Sequence, residues 1–212
     1  MTKPDVPIGG LPEVARDVER DRGPQTASRS STHLLDLAAE VDGLRARVEM
    51  AEASLARLEG ADAILAIQDL KARYGDLVDQ RFSQGRVIDD VSLQAVADQA
   101  AGLFTEDGTW DGGPALGVVH GRSAIAEQLA SPTLVFSRHL FLSPRITVDG
   151  DTATGRWDLL SPCTRLDGSH WWICGFEDDT YRRIDGVWLH QTMRLTTVFA
   201  AEAGNGWPRI LA

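Results

Sequence analysis

Cysteine is scarce in this 212-residue chain: it has two, Cys163 and Cys174. Neither belongs to a CxxC pair or a Cys/His spacing that would hold zinc, so a disulfide framework and structural zinc are excluded and the thiols read as core filler. No pair of histidines at helical or strand spacing joins a carboxylate in a metal-binding pattern either, so no metal is expected. Long apolar runs are missing. Nothing approaches the roughly 20 residues that cross a bilayer, and the opening MTKPDVPIGGLPEVARDVERDRGPQ has no apolar centre of a signal peptide. Clusters of Lys and Arg are also lacking, and the net charge is -10. That balance gives no electrostatic footprint for nucleic acid or an anionic membrane. The expectation is a cytoplasmic protein with neither as partner.

What the chain does contain changes along its length. Residues 1–30 are rich in Pro, Gly, Ser and charge without a sustained period, and read as a disordered tail. From Leu34 an apolar residue recurs in steps of three and four: Leu34, Leu37, Val41, Leu44, Val48, Ala51, Leu55 and Leu58. This is a heptad seam with Leu34, Val41, Val48 and Leu55 at a, and the others at d. In a parallel pair Glu40 at g would meet Arg45 at e, and Arg47 would meet Glu52. The same stripe would also serve a lone helix docked on its own domain. Gly60 is expected to end or bend this helix of residues 31–60.

Residues 61–200 read as one α+β domain, followed by a C-terminal tail over 201–212. A helix over 62–83 carries IQDLKARYGDLVDQRF; a second, DDVSLQAVADQAAGLF, has Asp90 or Ser92 as candidate caps. FTEDGTWDGG reads as a short strand, and HGRSAIAEQLASP as a short helix closed by Pro132. Beyond residue 134 three Asp-Gly pairs (149–150, 167–168, 185–186) separate strand-like runs over 135–148, 152–165, 170–183 and 188–199. Asp-Gly is a strong hairpin signal, so the expected sheet is an antiparallel meander.

Two-residue turns at all three pairs would fix the register. Phe141 would then oppose Asp158, Asp158 would oppose Glu177, and Glu177 would oppose Arg194. One face would gather His139, Asp158, Glu177, His190 and Arg194, with Arg156 nearby. An ordinary solvated face accounts for the same alternation. Pro144 and Pro162 imply bulges, and a bulge reverses facing beyond it.

The ordered segments RYGDLVD, LFTEDGTWDG, GRSAI and SRHL resemble the SnoaL-like branch of the nuclear-transport-factor-2-like superfamily. The resemblance implies a cone-shaped fold in which a curved antiparallel sheet and packed helices enclose a pocket. Within the branch, the chain is similar to bile-acid 7α-dehydratase, scytalone dehydratase and hexachlorocyclohexane dehydrochlorinase. That likeness implies a catalytic set of Tyr74, Asp79, His139 on the first long strand, Asp158 and Arg194. Glu177 has no counterpart in it. On a straight helix, residues five apart diverge by about 140°, which would set Tyr74 and Asp79 at the mouth of a cavity.

The implied chemistry needs no cofactor. Asp79 would fix the His139 tautomer, His139 would remove a carbon-bound proton, Tyr74 would donate to an oxygen, and Arg194 would hold an oxyanion or carboxylate. Asp158 would assist the leaving group or position Arg194. The expected function is a dehydratase acting on a hydrophobic, ring-containing hydroxy-carbonyl compound. Isomerisation and polyketide cyclisation would use similar groups. A limonene-epoxide-hydrolase-like reading would use Arg156 and Asp158 of GRWD, but the last strand offers His190 and Gln191 where a second Asp is needed. A non-catalytic binding or assembly module, built around the heptad helix, is the third possibility. Related domains form homo-oligomers, dimers or trimers, through the sheet.

Overall fold

The computed structural model describes residues 24–204, with side chains from residue 32. The expected disordered tail therefore lies mainly outside the described residues, and residues 24–30 are helical. Most of the tail expected over 201–212 lies outside them too. The first element, α1 (Pro24–Gln80), is one helix. It runs through Gly60 without ending, because a single Gly costs only about 1 kcal/mol in a helix interior, which the neighbouring turns absorb. The chain divides into two compact units, residues 1–55 and 56–212. The helix is common to both.

In the second unit, α1 places Ile67, Leu70, Tyr74 and Val78 at helical spacing, and all four are buried in the core. A small ribbon follows, β1 (Phe82–Ser83) and β2 (Arg86–Val87). Then comes α2 (Asp90–Ala101), whose cap is Asp89 rather than Asp90 or Ser92, since its carboxylate accepts from the Ser92 N–H at 3.0 Å. Next are β3 (Phe104–Asp111), the short α3 (Gly113–Leu116), β4 (Val118–His120) and α4 (Arg122–Leu129). Arg122 ties α4 to β3 through the Phe104 carbonyl and the Glu106 carboxylate.

The remaining chain is β-structure: β5 (Leu134–Ser137), β6 (Leu140–Asp149), β7 (Thr152–Arg165), β8 (His170–Ile184) and β9 (Val187–Glu202). These join β3 and β4 in a strongly curled seven-stranded sheet of order β4-β3-β9-β8-β7-β5, with β6 also paired to β7. The pairs are antiparallel except β3 with β9. The buried face packs on α1, α2 and α4 and contains Ala153, Trp157, Tyr181, Trp188 and Met193.

Three local features displace the register from that of three two-residue Asp-Gly turns. Pairing of Asp149 with Thr152 makes the first turn Gly150-Asp151, and a bulge at Ser143-Pro144 then sets Phe141 opposite Leu159. The second connection is longer: Arg165 N–H bonds to the Ser169 carbonyl, with Gly168 at φ 84°. Three-residue hairpin loops of this kind place Gly in the left-handed region. The added residue pairs Asp158 with Phe176 and Trp157 with Glu177. The third turn is Asp185-Gly186, as its sequence requires, but a bulge at Gln191 sets Arg194 opposite Asp178. Each odd shift moves a side chain to the other face.

Candidate active site

Asp79 lies one residue from the C-terminal end of α1. A carboxylate there faces the negative end of the helix dipole and needs compensating donors. Arg138 and His139, the two residues between β5 and β6, supply them. The backbone N–H of His139 donates to both Asp79 oxygens at 3.2 and 3.1 Å, and its ring Nδ1 lies 2.7 Å from Oδ1. Arg138 Nη1 stands 3.3 Å from Oδ2. The Asp79 side chain is only 7% exposed, whereas that of His139 is 20% exposed. With Nδ1 held by the carboxylate, Nε2 is the ring atom left to exchange a proton with a ligand. His139 thus sits in a strand break rather than on the first long strand, and this lets two successive residues reach one acid.

Tyr74 and Asp79 do not flank a cavity mouth. Tyr74 is buried, its hydroxyl accepting from Trp110 Nε1 at 2.9 Å. Burial, reinforced by the Glu177 charge, pushes its phenol pKa well up, so it remains a proton donor. Phe141 links it to His139, with ring centroids 6.4 Å from Tyr74 and 6.0 Å from His139. A Cβ on Gly75 would come within 3.2 Å of Phe141, so this glycine gives the ring room.

Asp158 and Arg194 are not part of this grouping. Asp158 alternates with buried Trp157 and Leu159, and Arg194 pairs with Asp111 at 3.0 Å, 61% exposed. Arg156 and Asp178 share that outer face, 3.6 Å apart. The register shifts in the loop before β8 and at the bulge in β9 explain why.

In their place the inner face holds Lys71 and Asp179, which the sequence pattern did not single out, together with Glu177 and His190, two members of the expected polar face. Lys71, fully buried on α1, is paired with Glu177 and, at 2.7 Å, with Asp179. The Tyr181 hydroxyl donates to Asp179 Oδ2 at 2.9 Å and accepts from Trp157 Nε1 at 2.8 Å. His190 is fully buried, its Nδ1 3.8 Å from Asp179 Oδ2, and neither ring nitrogen makes a hydrogen bond among the described residues. Burial opposes charge on Lys71, but Asp179 and Glu177 overcome it and leave its pKa above 10.5. Burial pushes Asp179 up to about 6, with Lys71 pulling it back and Glu177 adding repulsion. Burial, with Lys71 nearby, drives His190 well below 6.5 and keeps it neutral. A signal existed for Lys71: it lies four residues after Ile67 and three before Tyr74, inside the apolar stripe.

Two clefts lie away from Asp79 and His139. One, about 430 Å³, lies on the outer sheet face around Arg145, Arg156, Asp178 and Arg194; the other, about 590 Å³, lies beside α2 and α4. Neither includes Asp79 or His139 in its lining. Among the described residues no cluster of three or more His, Cys, Asp or Glu could hold a metal ion. None of the described helices is long and apolar enough to cross a membrane.

Residues 59–194 match the SnoaL-like domain. The chain belongs to this family. Solved structures similar to the SnoaL-like domain include a Mycobacterium tuberculosis protein of unknown function, 28% identical over 64% of this chain and 76% of that one, with a TM-score of 0.51. An NTF2-like protein with a cystatin-like fold from Novosphingobium aromaticivorans is 26% identical, covering 69% and 86% of the two chains, at a TM-score of 0.52. A hexachlorocyclohexane dehydrochlorinase from Novosphingobium barchaimii shares the fold, with 20% identity, coverage of 71% and 97%, and a TM-score of 0.58. No curated protein matches the chain.

Proposed function

We propose that this SnoaL-like domain is a small-molecule lyase that removes a carbon-bound proton with His139 and eliminates water, without an added cofactor. The observation that carries the reading is the 2.7 Å contact between His139 Nδ1 and Asp79 Oδ1. The carboxylate fixes the tautomer and stabilises the imidazolium that forms when Nε2 takes the proton. Tyr74, held protonated on the same helix, is the candidate donor to the departing hydroxyl or the adjacent carbonyl oxygen. The shared fold of a hexachlorocyclohexane dehydrochlorinase supports elimination chemistry. The aromatic surroundings favour a hydrophobic, ring-containing hydroxy-carbonyl substrate. Asp158 and Arg194 have no role in this mechanism, since both lie on the far side of the sheet. The same facing removes the support for an epoxide-hydrolase-like reading through Arg156 and Asp158.

The test is turnover of a panel of β-hydroxy ketones and acyl thioesters, together with deuterium exchange at the acidic carbon in D₂O. His139→Ala and Asp79→Asn are each expected to reduce both by ~10²–10⁴-fold. Exchange that continues undiminished in both variants removes the dyad from the mechanism. Exchange catalysed by the wild-type protein without elimination would instead favour an isomerase.

A further inference from the structure

The heptad seam of α1 is uncovered along its whole length in the single chain. Its seven Leu and Val side chains are between 39% exposed, at Val41, and 68% exposed, at Leu58, and Ala51 is exposed as well. A docked amphipathic helix would bury this stripe, since burial of an apolar face is what stabilises most helices in proteins. The seam therefore lacks the partner that its pattern requires, and the flanking charges say which partner fits.

We propose that residues 34–58 pair with the same segment of a second copy of this chain as a parallel, in-register, two-stranded coiled coil. In that arrangement Glu40 of each copy meets Arg45 of the other, and Arg47 meets Glu52. The third g-to-e pair, Ser54 with Glu59, carries one charge and no repulsion. A single sequence that satisfies its own g and e positions is self-complementary, which a helix built for a different protein has no reason to be. Val41 and Val48 at a, with Leu37, Leu44 and Leu58 at d and Ala51 as the one small d residue, favour two strands over three or four. Arg45 now stands 3.5 Å from Asp42, with both side chains about three-quarters exposed; a surface pair of this kind is weak and yields readily to an interhelical one. The pairing is independent of the catalytic reading, as none of its residues lies near Asp79 in sequence or belongs to the site.

Cross-linking of the full chain tests both partner and direction. In a Cys174→Ser background, Val41→Cys is expected to give a disulfide-linked dimer under mild oxidation, because identical a positions face each other in a parallel pair. An antiparallel pair would set Val41 against Ala51, about 15 Å along the axis from its own counterpart, and would give no such link. Leu44→Asp is expected to abolish the link while leaving tryptophan fluorescence of the folded unit unchanged. Glu40→Arg with Glu52→Arg should weaken dimerisation about tenfold by sedimentation, and adding Arg45→Glu with Arg47→Glu should restore it. A monomeric or trimeric seam, no cross-link at position 41, or a link that survives Leu44→Asp would each overturn the proposal.

Discussion

At the scale of single residues, the inner face depends on one cation. Lys71 is the cation shared by two carboxylates, Glu177 and Asp179, both almost fully buried. Removing one partner of such a group strands the others at low dielectric. Lys71→Met should therefore lower stability by about 3–5 kcal/mol, read from urea unfolding. Asp158→Ala and Arg194→Ala supply the contrast. Arg194 pairs with Asp111 while its own side chain stays 61% exposed, and solvent-exposed pairs contribute about 0–1 kcal/mol. Both variants should keep wild-type turnover, and a loss comparable with that of His139→Ala would return these residues to the mechanism.

At the scale of elements, irregularities in the sheet decide which side chains meet. The bulge at Gln191 lets both His190 and Met193 face inward, although three positions separate them. A second irregularity at Gly175 brings β9 close: a Cβ there would stand 2.3 Å from the Thr196 carbonyl oxygen and 3.1 Å from the Thr197 Cα. Backbone atoms cannot swing aside as a side chain can. Gly175→Ala should cost about 1–3 kcal/mol, measured by thermal or urea unfolding. An unchanged midpoint would show that β8 and β9 can separate at this point without penalty.

At the scale of the whole molecule, the buried cluster links stability to pH through two groups of opposite sign. Asp179 has a folded pKa of about 6 against an ordinary 3.8. The folded chain binds more protons in that window, so this contribution is complete below pH 3.8 and is lost as pH rises through about 6. His190 is displaced the other way, below 6.5, so its contribution is present above that pH and is lost as pH falls. Variants separate the two. Asp179→Asn should remove the loss on raising pH from about 4 to about 6, and His190→Gln should lessen the loss on acidification. Unfolding free energies across pH 4 to 8 would check both, and profiles parallel to the wild type would refute the assignments.

Local pattern in the chain was enough to mark the main helices and the long strands, though not the continuity of α1 through Gly60 or the break between β5 and β6. Spacing of Ile67, Leu70 and Val78 specified a buried helical stripe, and Asp-Gly pairs bounded the long strands to within a few residues, because periodicity and turn chemistry are local. The contact between Asp79 and His139 was also legible, through resemblance. Which polar residues share a face was settled by long-range pairing in the folded sheet. A loop longer by one residue and bulges at Ser143-Pro144 and Gln191 reverse the alternation, so Asp158 and Arg194 turn outward while Glu177 and Asp179 meet Lys71. A parity that flips with a single inserted residue cannot be read from periodicity alone; it is fixed only when apolar faces and buried charges find their partners together.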